Sequence, residues 1–397
     1  MDSPPPPIPS DELDLDPRIT WVMHCAEGPV PRHAAAAVAA FLNQETRPWT
    51  LDWERDFLGL PRRVREQAAV LLGARPDDIT LTGTTTGALA LVAQGLDWRE
   101  GDEVLVPLGE FPANAWPWKV LERRGVSLRQ VPLWDGHRAG AEALESEPPP
   151  PQVDPEARLL DAIGPATRLL SVSWVRFQDG LTLDLARLGA GCRERGVVLV
   201  VDGIQGAGTR ALRPSTSSTL LPLPEGLPGV DAFATGGHKG LLAPQGLGLL
   251  WTREDFRRRL TPPGGWLSVE DATDFDRPST DLDRSFETGG SRLELGVPNL
   301  LGCAALAESL FELYRRGPTS GGRPGSGLGL SIVRTGISPV SSEWPAQVSA
   351  LKTAKASGSN VKILASPWTA RPSTPTATST TPPISEIDCA RSVSSSS

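Results

Sequence analysis

One lysine lies among small residues in the stretch Asp231-Ala232-Phe233-Ala234-Thr235-Gly236-Gly237-His238-Lys239-Gly240, which continues to Pro244-Gln245-Gly246. The stretch begins as a short apolar strand and breaks at two glycines before Lys239. A desolvated lysine has a lowered pKa and can attack a carbonyl carbon, as lysines that form Schiff bases do. A buried lysine paired with a carboxylate would fit the same residues. By itself, the stretch leaves both interpretations open.

A second predicted strand ends in an acid, Asp202, in the stretch Arg195-Gly196-Val197-Val198-Leu199-Val200-Val201-Asp202-Gly203-Ile204-Gln205. The five apolar residues after Gly196 are typical of a strand covered on both faces, as in a parallel sheet. Ligands of such sheets bind beyond the carboxyl ends of the strands. Pyridoxal 5'-phosphate (PLP) needs a carboxylate at its ring nitrogen and a lysine at its aldehyde. Asp202 and Lys239 fit that pair.

Three motifs resemble the class V aminotransferase family of fold-type I PLP-dependent enzymes. They are Asp-Gly-Ile-Gln at 202–205, Gly-Gly-His-Lys at 236–239 and Pro-Gln-Gly at 244–246, which stand in the family's order. The resemblance extends from about Arg18 to about Tyr314. It implies a three-layer α/β large domain with a mostly parallel sheet, followed by a small C-terminal domain. It also implies PLP as the cofactor and a homodimer as the assembly.

The residue at Phe111 indicates a branch of this family. Glu110-Phe111-Pro112 follows a predicted strand over 102–107, and in the family the residue at this position stacks on the cofactor ring. Cysteine desulfurases have a histidine there, whereas isopenicillin N epimerase-like and kynureninase-like proteins have an aromatic residue. The resemblance therefore favours the latter branch. A phenylalanine of the hydrophobic core is the alternative interpretation.

A candidate phosphate site lies at a helix start in Asp78-Ile79-Thr80-Leu81-Thr82-Gly83-Thr84-Thr85-Thr86-Gly87-Ala88-Leu89. Backbone N–H groups at a helix start, assisted by hydroxyl groups, can bind a phosphate. A threonine that only caps the helix would explain the same residues. By the family resemblance, this stretch is the phosphate loop, and Thr85 and Thr86 are the phosphate contacts.

Two further cofactor contacts follow from the resemblance alone. Gln205 is expected to reach the phenolic oxygen of PLP, and His238 is expected to lie beside the phosphate. A histidine next to a lysine is equally compatible with a structural role. The family often has a serine three residues before the lysine, where this chain has Gly236. Thr235 is the neighbouring hydroxyl that can replace it.

Composition and charge narrow the class of protein. The 397 residues suffice for a large and a small domain, and the net charge of −8 gives no support for nucleic-acid binding. The four cysteines have neither a CxxC pair nor metal-ligand spacing. The first residues lack the basic and apolar parts of a signal peptide, and no apolar run is long enough to span a membrane. We therefore expect a cytoplasmic protein with no membrane partner.

The two ends of the chain differ in composition from its middle. Residues 1–17 are rich in proline and acids and are predicted to be disordered, and residues 18–300 are predicted to form the PLP-binding large domain. After Tyr314, Ser, Thr, Pro and Gly dominate. Residues 301–373 are therefore interpreted as a partial or aberrant small domain, and residues 374–397 as a disordered tail. A coding sequence read out of frame would produce such a composition.

In the family, an arginine of the small domain binds the substrate carboxylate, and this chain has no clear counterpart. Arg371 is the one candidate, and its surroundings do not resemble the family. The segment 325–333 resembles a glycine box of histidine-kinase ATPase domains, but a flexible linker explains it better. Cys389 raises the comparison with the small-domain cysteine of desulfurases, although a thiol in a disordered tail is the preferred interpretation.

The sequence thus predicts a PLP-dependent enzyme that acts on an amino acid or a related amine. Lys239 would hold the cofactor as a Schiff base and then act as general base at Cα, while Asp202 keeps the ring nitrogen protonated. Transamination, epimerisation and C–S or C–C bond cleavage all stay open. The alternatives are a PLP-binding homologue without turnover, a cysteine desulfurase, and a nucleotide-binding protein built around the glycine box.

Overall fold

The computed structural model describes residues 12–16, 21, 23–138, 152–209, 227–278 and 281–315. The predictions made for the glycine box, Arg371, Cys389 and the tail over 374–397 concern residues outside these ranges. The same holds for most of the predicted small domain.

One sheet of seven strands forms the centre of the described chain. The strands are β1 (Ile79–Thr82), β2 (Glu103–Pro107), β3 (Ser127–Val131), β4 (Thr167–Ser173), β5 (Val198–Asp202), β6 (Ala232–Gly236) and β7 (Gly248–Thr252). Their order across the sheet is β1-β7-β6-β5-β4-β2-β3. The five strands from β6 to β3 are parallel, and β7 pairs antiparallel with both β1 and β6. The predicted, mostly parallel sheet is confirmed.

Helices cover both faces of this sheet. They are α1 (Arg32–Glu45), α2 (Leu60–Leu72), α3 (Thr85–Gly95), α4 (Trp116–Lys119), α5 (Pro155–Asp161), α6 (Leu185–Glu194), α7 (Glu254–Arg257) and α8 (Leu300–Arg315). Alternate residues of β5 belong to different cores: Leu199 and Val201 pack with α2, α6 and α8, whereas Val198 and Val200 pack with α3 and α4. Because side chains alternate between the faces of a strand, the chain forms the predicted three-layer α/β domain.

The two ends of the described chain pack on the same side of the domain. Helix α8 lies against α1 and α2, and Cys303 and Leu306 of α8 belong to the large-domain core. The boundary predicted at residue 300 coincides with the start of α8. Residues 12–16 fall in the segment for which disorder is predicted, yet Leu13 is buried and Glu12 bonds to His33 of α1.

Candidate active site

Parallel strands bring two predicted functional residues to one edge of the sheet. β4 ends at Ser173, β5 at Asp202 and β6 at Gly236, and Ser173 is the register partner of Asp202. Lys239 follows β6 by three residues. Because ligands of parallel sheets bind beyond the carboxyl ends of the strands, Asp202 and Lys239 lie at the expected edge.

Lys239 is a buried amine without an ionic partner. Only 8% of its surface is exposed, and it makes no hydrogen bond or salt bridge with the residues that the structure describes. Its Nζ lies 5.6 Å from the centroid of the Phe111 ring. Burial lowers the pKa of Lys239, and the nearby Asp202 carboxylate acts in the opposite direction. A desolvated amine of this kind is suited to nucleophilic attack, and the alternative ion pair is not observed among these residues.

Residues 237–241, here called the lysine turn, carry Lys239 after the end of β6. Glycines let distant backbone segments approach this turn. A Cβ atom on Gly240 would lie 2.1 Å from the carbonyl oxygen of Ala207, and one on Gly28 would lie 2.1 Å from that of Lys239. The Gly28 N–H donates to the carbonyl oxygen of His238 at 2.8 Å. The small residues around Lys239 are therefore required by packing, since any side chain at these positions would displace the neighbouring backbone.

Asp202 is a buried carboxyl group with one protein partner. It is 2% exposed, and its Oδ1 accepts a hydrogen bond from the Ile204 N–H at 3.0 Å. The pKa of Asp202 is raised to about 7, chiefly by burial; the Ile204 N–H acts to lower it, the nearby Glu110 adds to the rise and Lys239 opposes it. Its second oxygen accepts no hydrogen bond from the described residues. That oxygen is available to a ligand that carries a cationic N–H group.

The start of α3 combines a capped helix with one unsatisfied hydroxyl. Thr84 is the N-cap, and its Oγ1 accepts from the Gly87 N–H at 2.9 Å. Thr85 is buried, and its Oγ1 has no hydrogen-bond partner, whereas Thr86 is exposed. Thr82 and Gly236 are both register partners of Gly248. The start of α3 therefore lies two strand spacings, about 10 Å, from the end of β6.

Phe111 and Phe177 form an apolar wall beside Lys239. Their rings meet edge to face with centroids 5.1 Å apart, and both are more than one-third exposed. Phe111 is therefore not a core residue, which was the alternative interpretation. An exposed aromatic face next to a reactive amine can stack on a planar ligand.

The other two predicted contacts, Gln205 and His238, lie close to the lysine turn. Gln205 Nε2 donates to the carbonyl oxygen of Cys25 at 2.9 Å. His238 is half-buried, burial lowers its pKa, and its carbonyl oxygen binds the Gly28 N–H. The suggested substitute, Thr235, is buried, and its Oγ1 lies 3.3 Å from the carbonyl oxygen of Gly236.

Residues 23–28, here called the N-terminal strap, were not recognised in the sequence as part of the site. The strap lies against the lysine turn, and Glu27 Oε2 accepts from Gln245 Nε2 at 3.1 Å. Cys25 and Glu27 are both close enough to raise the pKa of Lys239. The glycine of Glu27-Gly28-Pro29 was the one available signal, because it marks a close approach of backbones.

Glu110 is a second residue beside the site that the sequence analysis did not single out. It follows β2 by three residues, directly before Phe111, and its carboxylate binds Ser173 and Asn114. Burial raises the pKa of Glu110. Its position next to the end of a parallel strand is the signal that could have identified it.

The residues at this edge fit PLP. The unsatisfied Thr85 Oγ1 and the start of α3 suit a phosphate, and the second oxygen of Asp202 suits a pyridinium N–H. The Lys239 amine suits the aldehyde, and the Phe111 face suits the ring. Each group is buried or open in the way that the corresponding part of the cofactor requires.

The described part of the chain contains neither a cluster of metal-ligating side chains nor a membrane-spanning helix. No group of three or more His, Cys, Asp or Glu residues there could hold a metal ion. No helix there is both long and apolar enough to cross a membrane.

Comparison with known proteins agrees with this geometry. The family model for aminotransferase class-V matches residues 52–316. Isopenicillin N epimerase of Amycolatopsis lactamdurans is 32% identical over 305 residues, which cover 71% of this chain and 67% of that protein. A probable cysteine desulfurase of Methanothermobacter thermautotrophicus is 30% identical over 259 residues, or 64% of this chain and 56% of that protein. The matched region thus spans between about half and two thirds of these relatives.

A solved structure gives the same fold. A lysine-to-alanine variant of C-DES, with glycine covalently linked to its PLP cofactor, matches with a TM-score of 0.62 and 27% identity. The match covers 75% of this chain and 72% of C-DES.

Proposed function

This chain belongs to the aminotransferase class-V family, and on that premise we propose that it is a PLP-dependent enzyme that acts on an amino acid or a related amine through Lys239. The observation that carries the proposal is the buried, unpaired Lys239 beside the buried, singly bonded Asp202. Burial disfavours the charged forms of both residues, which lie at the carboxyl ends of adjacent strands. Such a pair is typical of a functional site.

Each residue has one task in the proposed reaction. The hydroxyl of Thr85 and the N–H groups at the start of α3 bind the phosphate, and Asp202 holds a proton on the ring nitrogen. PLP, when bound, accepts the electron pair that is left at the substrate Cα. Lys239 Nζ takes the proton from Cα, for which its lowered pKa is suited. Phe111 and Phe177 keep water from the ring face.

Proton transfer at Cα, as in epimerisation or transamination, is our preferred reaction. Phe111 presents an apolar ring where the resemblance places a histidine in cysteine desulfurases, so this position supplies no acid or base. The relatives include both an epimerase and a desulfurase. Desulfuration of cysteine is therefore the second candidate, and sulfide release from cysteine would favour it.

The first experiment is the visible absorbance of the purified protein after incubation with PLP, for wild type, Lys239→Ala and Lys119→Ala. Lys119 is the matched control, because it is exposed and paired with Glu122. We expect a band in wild type and Lys119→Ala, no band in Lys239→Ala, and borohydride fixation of the cofactor on Lys239. A wild type without a band would contradict the proposal.

A panel of amines and amino acids then separates an enzyme from a homologue without turnover. Product formation supports the proposed activity, and tight PLP binding with no product from any compound supports the impaired homologue. A homodimer is proposed from the family resemblance, and a monomer by sedimentation would contradict it. The cytoplasmic location stays a prediction.

A further inference from the structure

A second carboxylate, Glu110, lies one strand away from Asp202. Its Oε1 accepts from the Ser173 N–H at 3.0 Å, and its Oε2 accepts from Ser173 Oγ and from Asn114 Nδ2, the latter at 3.1 Å. Ser173 is the register partner of Asp202, and the two strands are about 4.8 Å apart. Glu110 thus ties the turn after β2, which carries Phe111, to the end of β4 beside Asp202.

The orientation of Asn114 favours the ionised form of Glu110. Trp118 Nε1 can only donate, and it donates to Asn114 Oδ1, which also accepts from Ser171 Oγ at 2.5 Å. The Asn114 amide must therefore present its NH₂ group to Glu110. A backbone N–H and an amide N–H then each donate to one oxygen of the carboxyl group, and the Ser173 hydroxyl, which can donate or accept, is the third partner. The two fixed donors favour the carboxylate over the neutral acid.

Burial raises the pKa of Glu110, and the charge of Arg176 acts in the opposite direction. The Arg176 guanidinium is 3% exposed and bonds to Asp179 and to the Leu108 carbonyl oxygen. Glu110 in turn raises the pKa of Asp202. The charged groups that act on Asp202 are thus Glu110 from the turn after β2 and Lys239 from the turn after β6.

We propose that Glu110 is a positioning residue for the cofactor ring: it holds the Phe111 turn through Ser173 and Asn114, and its negative charge acts on Asp202 from the neighbouring strand end. This inference rests on the proposed PLP function, because it concerns how the same site holds the ring. It assigns no contact with substrate or cofactor to Glu110.

The test compares wild type, Glu110→Gln and Glu103→Gln in complex with PLP. Glu103 is the matched control, because it also ties β2 to β4, through Thr167, but at the opposite end of the strands. The readouts are the PLP dissociation constant and the pH midpoint of the visible band. For Glu110→Gln we expect about fivefold weaker PLP binding, because one hydrogen bond is lost. We also expect the pH midpoint of the visible band to fall by about half a pH unit, because one negative charge is lost.

Glu110→Asp separates the two effects. It keeps the charge but is one methylene shorter, so PLP binding should weaken while the midpoint stays within about 0.2 units of wild type. If Glu110→Gln does not fold, the Asp variant carries the test, and wild-type PLP affinity in that variant overturns the proposal. Equal midpoints and affinities in Glu110→Gln and Glu103→Gln also overturn it.

A ligand-free measurement distinguishes failure of this inference from failure of the PLP function. If wild type forms no band, thermal unfolding of the unliganded protein is followed from pH 4 to pH 8. The raised pKa values of Asp202 and Glu110 then both make the unfolding temperature fall with increasing pH. Glu110→Gln should reduce that fall, and it should do so by more in the wild-type background than in an Asp202→Asn background if the two carboxylates are coupled. Superimposable profiles of wild type and Glu110→Gln would overturn the coupling between the two carboxylates.

Discussion

Asp78 and Asp202 are two buried aspartates at opposite ends of the strands of one sheet, and their hydrogen-bond partners differ. Asp78 precedes β1 and accepts hydrogen bonds from Arg75 Nε at 3.0 Å, from Arg75 Nη2 at 2.9 Å and from Arg257 Nη2 at 3.0 Å. Asp202 ends β5 and accepts one hydrogen bond, from the Ile204 N–H. The guanidinium groups balance the charge of Asp78, whereas no described arginine bonds to Asp202.

The difference distinguishes a charge that is satisfied within the protein from one that is open to a ligand. A buried carboxylate with two arginines is satisfied within the protein, and it leaves nothing for a ligand. A buried carboxylate with one backbone partner destabilises the unliganded fold when it ionises, and it gains a partner when a cationic ligand binds. Four substitutions test this contrast.

The largest change in the free energy of unfolding is expected at Asp78, the aspartate that is paired with arginines. Arg257 is 1% exposed and also donates to the carbonyl oxygens of Thr252 and Thr288. Arg257→Ala leaves Asp78 with only Arg75 and removes these bonds, so we expect a loss of about 3–5 kcal/mol in the free energy of unfolding. Urea unfolding measures it, and a loss below about 1 kcal/mol would contradict the assignment of Arg257 as structural.

Asp202→Asn should have an effect that depends on pH. The pKa of Asp202 is about 7 in the folded protein and 3.8 in the reference state. Because the folded pKa is raised, the stability contributed by protonated Asp202 is present below pH 4 and is lost as the pH rises through 7.

The Asn variant does not lose this contribution. Its stability relative to unliganded wild type should therefore increase from pH 4 to pH 8, by up to about 4 kcal/mol. The same variant should bind PLP more weakly. Unfolding curves at several pH values measure the first effect, and a difference independent of pH would show that Asp202 does not titrate in this range.

Lys239→Met should stabilise the unliganded protein slightly. Burial lowers the pKa of Lys239 from 10.5, so its ammonium form is disfavoured in the fold at neutral pH. Removal of the charge should raise the free energy of unfolding by about 1 kcal/mol at pH 7. Lys119→Met is the exposed control, for which a change within about 0.5 kcal/mol is expected. A clear loss of stability in Lys239→Met would mean that the amine has a structural partner.

Arg75→Ala should have the smallest effect. Half of the Arg75 side chain is exposed, and Arg257 remains bonded to Asp78 in this variant. We expect a loss of about 0.5–1 kcal/mol in urea unfolding, because solvent screens an exposed ion pair. If Arg75→Ala cost as much as Arg257→Ala, the two arginines would contribute alike in spite of their different burial.

The sequence was sufficient for the parallel sheet and for the placement of Asp202 and Lys239 beyond the carboxyl ends of its strands. The apolar run before Asp202 predicted a strand buried on both faces, and β5 is buried throughout. The same reasoning placed Lys239 beyond the end of β6. These predictions depend on short stretches of sequence, in which a strand and the turn after it are only a few residues apart.

The roles of Glu110 and of the N-terminal strap could not be predicted in the same way. Glu110 depends on Ser173, which is 63 residues away in the chain, and the strap depends on the turn of Lys239. No pattern within one segment specifies such partners. The packing of α8 also depends on distant partners: composition changes only after Tyr314, while α8 packs into the core through its apolar face.

The turn of Lys239 is completed by both ends of the described chain. Gly28 N–H binds the His238 carbonyl oxygen, and Ser309 Oγ of α8 donates to the Leu242 carbonyl oxygen at 3.0 Å. During synthesis on the ribosome, the bond from Ser309 to Leu242 can form only after α8 has emerged, because α8 is the last of these elements to be made. A nascent chain that stalls before Leu306 would leave Leu241, which belongs to the same buried core as Leu306 and Leu310 of α8, partly uncovered and available to a chaperone.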